Sequence, residues 1–259
     1  MKNEKLLKKI GGIPTRYYPI FKGAKMDIDE LDQHLLSWTK RLKQENQNLL
    51  NAALSSIKSA FPFNEYEHRI AFFLNRGVIS FDEYKKLRDN YVGSNQYLEL
   101  YGLAPRVFGD IWCKEHLIGI DQRFKEPSKK LDPKYDGEYD LWLNGIKIEV
   151  KAGRATKTKE RGAVTSKAIP YKSEKPFWIN MQQIKLDICD VFILIGVWTD
   201  RICYWVLSND EVKNHSEISH QHRGGIEYQI GITERNVREF DKYLVEPTKL
   251  VDTILEKVK

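Results

Sequence analysis

Cysteine is scarce in this sequence, and the little there is forms no pattern. Cys113, Cys189 and Cys203 are widely spaced, odd in number, and fall in no CxxC or Cys/His pairing. That excludes the usual disulfide frameworks and zinc sites and makes a reducing, cytoplasmic compartment the expectation. Long apolar runs are missing too. The longest, residues 191–198, is far shorter than the roughly 20 residues a bilayer-spanning helix needs, so no membrane partner is expected. The N-terminal stretch MKNEKLLKKIGGIP is basic but has neither the apolar region nor the cleavage site of a signal peptide. No GxxxxGK[ST] motif, internal repeat or low-complexity tract occurs. What remains is a chain of 259 residues with 41% hydrophobic and 12% aromatic side chains, enough to build a globular core with a helical appendage.

Charge is modest in total and uneven in place. The formal net charge is +6 and the sequence pI about 9.0. Between Lys151 and Lys175 stand Lys151, Arg154, Lys157, Lys159, Arg161, Lys167, Lys172 and Lys175 against only Glu160 and Glu174, a surplus equal to that of the whole chain. Positive charge focused in this way is what a polyanion would meet.

The first hundred residues read as helical. Ile28, Leu31, Leu35, Trp38 and Leu42 recur at helical spacing behind Asp27, a plausible N-cap. Leu49, Ala53 and Ile57 carry the stripe on after a break at residues 44–48, and Pro62 closes the region. A helix over 66–74, a turn at Asn75-Arg76-Gly77, and a helix capped by Ser80 with Glu83 follow. That outline belongs to any helical hairpin and also to the DNA-binding helix-turn-helix, and the two readings stay open. The chain loosens after Tyr91, which suggests a helical region over 1–95 and a second unit over 96–259. Another helix is expected over 107–117. Strands are expected over 139–143, 146–152, 191–197 and 202–207, with a helix around 179–188 and helical stretches over 236–243 and 249–258. The fold class is therefore α/β, a central mixed sheet flanked by helices.

The chemistry concentrates in residues 138–152. Asn144-Gly145 between two alternating runs is a strong hairpin signal. With a two-residue turn, Asp140 falls opposite Glu149. Tyr139, Leu141, Leu143, Ile146, Ile148 and Val150 then share an apolar face, and Asp140, Trp142, Lys147, Glu149 and Lys151 share the other. Opposed carboxylates repel, and a divalent cation between them reverses that sign. Cations of the Mg²⁺ type take one or two carboxylates, waters and phosphate oxygens. Lys151, two residues past Glu149, is placed to orient a nucleophile or stabilise charge on phosphorus.

Asp140, an eight-residue gap and then Glu149-Val150-Lys151 resemble the PD-(D/E)xK nuclease signature, with Tyr139 where the name has proline and Asp136 as a rival first acid. The resemblance implies a restriction-endonuclease-like core. It also implies Mg²⁺, with Mn²⁺ as substitute, held by Asp140, Glu149 and the Val150 main-chain carbonyl, and assistance from Lys151. A preceding helix in related nucleases adds a glutamate near the metal, for which Glu115 is the first candidate and Asp110 the second. A stand-alone chain of this size resembles most a type II restriction endonuclease acting on double-stranded DNA. The alternatives are a DNA repair or recombination nuclease and a catalytically silent DNA-binding protein. A second copy of the chain is a candidate partner.

Around this core, Arg154, Lys157, Lys159, Arg161, Lys167 and Lys172 are the expected phosphate contacts. Gln182 or Gln183 with Lys185, on the expected 179–188 helix, are further candidates. Gln221 and Arg223, within His220-Gln-His-Arg-Gly-Gly225, suit a loop that reads bases. Metal binding by His220 and His222 is disfavoured for want of a third ligand.

Overall fold

A computed structural model of the protein describes residues 28–56, 65–222 and 226–258. Asn144 and Gly145 take φ of 50° and 97°, the pair of left-handed conformations that a tight hairpin turn requires. The chain therefore reverses between β1 (Leu141–Leu143) and β2 (Ile146–Arg154). Leu143 faces Ile146, Trp142 faces Lys147 and Leu141 faces Ile148, the register that the alternation dictates.

Strand β2 pairs in parallel with β5 (Val191–Val197), and β5 pairs antiparallel with β6 (Ile202–Ser208). The result is a mixed four-stranded sheet in the order β1-β2-β5-β6. Every residue of β5 is buried, as expected for a central strand covered on both faces. A second four-stranded sheet, antiparallel throughout, consists of β3 (Thr156–Lys157), β4 (Phe177–Ile184), β7 (Ile218–His222) and β8 (Ile226–Thr233), in the order β3-β4-β8-β7.

The helices are α1 (Ile28–Arg41), α2 (Gln44–Ser56), α3 (Glu65–Asn75), α4 (Phe81–Ser94), α5 (Cys113–Ile120), α6 (Asn209–Lys213) and α7 (Leu250–Lys257). A π-helical turn, Val107–Trp112, runs directly into α5. One face of the mixed sheet packs Leu141, Ile148, Val150, Ile193 and Ile195 against Leu117 of α5 and Leu250 and Ile254 of α7. Its other face, with Phe192, Leu194, Trp205 and Leu207, packs against Phe177, Ile179, Met181, Ile230 and Ile232 of the second sheet. The architecture is α/β in three layers, so the expected helical flanks are present on one face and a sheet covers the other.

That difference begins at β4, where a helix was expected over 179–188. Phe177, Ile179 and Met181 are buried and alternate with exposed Trp178, Asn180 and Gln182. Met, Gln, Leu and Lys favour helices weakly, and a facing apolar strand outweighs such a preference.

A third cluster, Leu35, Leu50, Tyr66, Ile70, Phe73, Ile79 and Leu87, lies within α1–α4 and the turn joining α3 to α4. Ser80 and Glu83 form the expected capping box of α4, which continues through Ser94. The break between α1 and α2 falls at 42–43, ahead of the polar stretch, because Gln44 to Asn48 join α2. Asp27, Ile57 and Pro62 lie outside the described residues. Val237–Tyr243 is a 3₁₀ helix. The three cysteines are buried and free, and no described helix is long and apolar enough to cross a membrane.

Candidate active site

The site forms where β1 stops and β2 continues. Pairing ends at Leu141 and Ile148. Where a longer ladder would bring a main-chain carbonyl to the Val150 N–H, the Asp140 carboxylate arrives instead, and Val150 N donates to Asp140 Oδ2 at 2.8 Å. Because a strand residue projects its N–H and C=O from the same edge, the Val150 carbonyl also points to this uncovered edge beside Asp140. The chain turns as it leaves the ladder. Tyr139, expected on the same face as Leu141 and Leu143, therefore packs on the opposite side with Tyr135 and Trp142 and donates to Asp132 Oδ2.

Glu149 sits on the face covered by the second sheet and is fully buried. The expectation of a solvated non-core face is thus corrected, because a second sheet covers it, one strand of which, β4, is expected from the sequence as a helix. Its Oε2 accepts the Lys185 main-chain N–H at 2.8 Å. Its Oε1 stands 2.6 Å from Lys151 Nζ, yet it lacks a properly directed hydrogen bond. We read this contact as a charge pair rather than a hydrogen bond.

Lys185 reaches the site through a bulge. Met181 faces Ile230 and Ile184 faces Tyr228, so β4 carries one extra residue over this interval, and Gln183 adopts φ of 58°. The inward parity shifts from Met181 to Ile184, and the next N–H, that of Lys185, meets Glu149. Bulges re-aim side chains in this manner and recur beside active sites. Lys185 Nζ donates to the Glu138 carbonyl at 2.8 Å, tying β4 to the strand approach. Lys185 was placed on the expected helix surface; the strand brings its main chain to Glu149 instead. Gln182 and Gln183 are exposed.

The π-helical turn supplies the other wall. Asp110 and Lys114 form an ion pair at 2.5 Å. That pairing holds Asp110 below the usual carboxylate range, with the Lys151 charge adding to it. Burial works against the Lys114 charge, but the pair with Asp110 and the nearby Asp140 hold the ammonium above its ordinary value. Burial, followed by the charge of Asp140, pushes the Cys113 thiol up to about 12. Burial, with Glu149 and Asp140 behind it, does the same to Cys189. The two carboxylates therefore share one neighbour, Cys189, while Asp140 also acts on Lys114 and Glu149 on Lys151. Glu115 is exposed on α5, and Asp136 is exposed in the preceding loop, its N–H donating to Glu138.

The donor set suits a hard divalent cation. Each of the two carboxylates has one oxygen fixed by a main-chain N–H, and in Glu149 the second is buried without a hydrogen bond. The Lys151 ammonium already offsets the charge of that oxygen, so a cation there would share the carboxylate with it. With the Val150 carbonyl, Asp140 and Glu149 offer oxygens only, the preference of Mg²⁺, which retains several waters. Among the described residues no group of three His, Cys, Asp or Glu could hold a metal on its own.

The basic residues divide into two kinds. Arg154 is turned inward: its Nη1 donates to the carbonyls of Leu100, Tyr101 and Leu103, and its guanidinium lies 4.5 Å from the Phe108 ring centre. Lys157, on β3, pairs with Glu160 at 3.1 Å. Lys159, Arg161 and Lys172 are exposed, and Lys167 is half-buried in a 3₁₀ turn, Thr165–Lys167. Gln221 lies on β7 opposite Glu227, so it belongs to a strand rather than a loop, and Arg223 lies outside the described residues.

No family model matches this chain, and neither does any curated protein or solved structure.

Proposed function

We propose that this chain is a divalent-metal-dependent endonuclease that cuts double-stranded DNA at specific sites, in the manner of a type II restriction enzyme, on a restriction-endonuclease-like core. The observation that carries the reading is that two carboxylates meet β2 already anchored, Asp140 by the Val150 N–H and Glu149 by the Lys185 N–H. Each carboxylate has an oxygen fixed by the main chain, and Lys151 stands against the otherwise unsatisfied oxygen of Glu149. Asp140, Glu149 and the Val150 carbonyl would hold Mg²⁺, or Mn²⁺ in its place, with Glu115 or Asp110, which feels the Lys151 charge, as the further acid reaching it through water. The ion, when bound, supplies Lewis acidity at the phosphate and eases deprotonation of an attacking water. The chain's part is to fix two carboxylates before substrate arrives and to hold an ammonium, Lys151 Nζ, where it can orient the nucleophile and offset negative charge growing on phosphorus. Buried surroundings strengthen that charge interaction.

Plasmid cleavage tests this. Discrete bands are expected with Mg²⁺ or Mn²⁺ and none in chelator. Ca²⁺ should support binding without cutting, since it satisfies carboxylates but activates water poorly. Asp140→Asn, Glu149→Gln and Lys151→Ala should each slow cleavage by about 10²-fold or more. Because Glu149 is fully buried, the isosteric glutamine is the proper variant there. Cuts that follow DNA structure rather than sequence would favour a repair nuclease. Binding without cleavage under any metal would leave a silent DNA-binding protein and sink the enzymatic reading, and an active Asp140→Asn beside an inactive Asp136→Ala would show the wrong acid.

A further inference from the structure

Directly beyond Lys151, β2 continues into the floor of a groove of about 270 Å³. Ala152 and Gly153 lie beneath, Phe108 and Gly109 of the π-helical turn stand on one side, and Trp178 and Asn180 of β4 stand on the other. Val164, from the basic segment, lines it as well. Gly153 lets β4 pack directly on β2 beside it, because a β-carbon there would collide with Ile179 Cγ2. The groove thus begins one residue past Lys151 on β2, and the basic segment enters its lining at Val164.

Trp178 is the unusual member. It is 48% exposed on the outward face of β4, where burial gives no reason for an indole. Its five-membered ring lies over Gly231, with Nε1 3.1 Å from where a β-carbon would stand. Thr156 Oγ1 donates to the Trp178 carbonyl at 3.4 Å, and β3 pairs alongside. The sheet therefore supports the ring from below, while the groove side carries the Asn180 amide two residues along the same face.

We infer that this groove seats a single nucleotide whose base has left the helical stack, lying on the Trp178 indole and presented to the Asn180 amide. The inference rests on the nuclease reading for the phosphate next to it. Size suits a small planar group such as one base: 270 Å³ is just below the range of about 300–1,000 Å³ typical of ligand pockets. Charge argues for a nucleotide over another planar ring, because the segment that contributes Val164 to the lining also carries the exposed Lys159 and Arg161. Chemistry argues for stacking, since an aromatic ring is the sequence-tolerant partner of an unstacked base.

The test is binding by the full chain in chelator, so that no cleavage occurs. It is read by fluorescence anisotropy with three labelled probes: a mixed-sequence 12-nucleotide single strand, its perfect duplex, and that duplex with one central mismatch. Trp178→Ala should weaken binding of the single strand and the mismatched duplex by about 5- to 150-fold, the span alanine substitution of a base-stacking aromatic produces. Perfect-duplex binding should change far less. Trp178→Phe should retain most of the affinity. Trp178→Leu, which still covers Gly231 but has no π-face, should behave like alanine. Equal losses on all three probes, equal losses for Phe and Leu, or no loss on any probe would each overturn the inference. Failure of the nuclease reading looks different. It would be Trp178-dependent single-strand binding with no Mg²⁺-dependent cleavage, whereas Asp140-dependent cleavage with a silent Trp178→Ala would remove the groove assignment alone.

Discussion

At Arg154 a guanidinium that belongs by sequence to the basic segment is turned into the fold. Three carbonyls of the Leu100–Leu103 stretch accept from it, and Phe108 lies beneath its face. Burial lowers its pKa from the ordinary arginine value, which an ammonium of lower intrinsic pKa would tolerate less well, and no ammonium reproduces the planar fork. Arg154→Ala should therefore act on stability. Leaving three carbonyls short of a donor and removing the ring contact should cost about 2–4 kcal/mol in urea unfolding. Arg154→Lys should recover only part of that. A variant with unchanged unfolding but weakened DNA binding would return Arg154 to the phosphate contacts. Sequence alone could not separate the two roles, since an arginine at a strand end looks the same whether it meets phosphate or its own backbone. Asp140, Glu149 and Lys151 were legible because their spacing and the Asn144-Gly145 turn fix one register. The near-total burial of Glu149 was not, since it depends on a sheet formed by residues far along the chain.

At the level of elements, the hairpin and the strands β5 and β6 could be read because each carries its own local signal: a turn dipeptide, or a continuous run of β-branched and aromatic residues. Strand β4 was misread for a physical reason. Its period-2 pattern holds only from Phe177 to Gln182, and the bulge at Gln183 then shifts the parity, so Ile184 and Leu186 fall where a helical stripe would put them. The same bulge delivers the Lys185 N–H to Glu149, so the feature that hid the strand also completes the site. A non-glycine residue in the left-handed region carries a cost of about 1–2 kcal/mol. Gln183→Gly should remove that strain while loosening the unfolded chain, leaving stability unchanged or raised by up to about 1 kcal/mol. Gln183→Val, whose branched β-carbon suits φ > 0 poorly, should lower it by about 1–2 kcal/mol. Thermal unfolding of the pair decides the matter, and a stabilised valine variant would mean that Gln183 does not hold this conformation in solution.

On the scale of the whole molecule, a positive surplus equal to the chain's own lies in one segment, residues 151–175, and the structure sorts its members by what else they do. Sequence counting treats Lys157, Lys159 and Arg161 alike, and three released counterions would change the slope of log K against log salt by nearly three units. Lys157 is already held by Glu160 at 3.1 Å with its side chain only 16% exposed. Lys159 and Arg161, in contrast, are exposed. If the loop lies on DNA phosphates, as the nuclease reading requires, Lys159→Gln with Arg161→Gln should flatten the slope by about two units. Lys157→Gln alone should change it by well under one. Because phosphate contacts carry no direct sequence information, both effects should be equal on cognate and scrambled duplexes, measured in Ca²⁺ over several salt concentrations. A full unit lost with Lys157 alone would show that Glu160 releases it on binding. An unchanged slope in the Lys159/Arg161 variant would take this loop off the DNA and leave its charge without a partner.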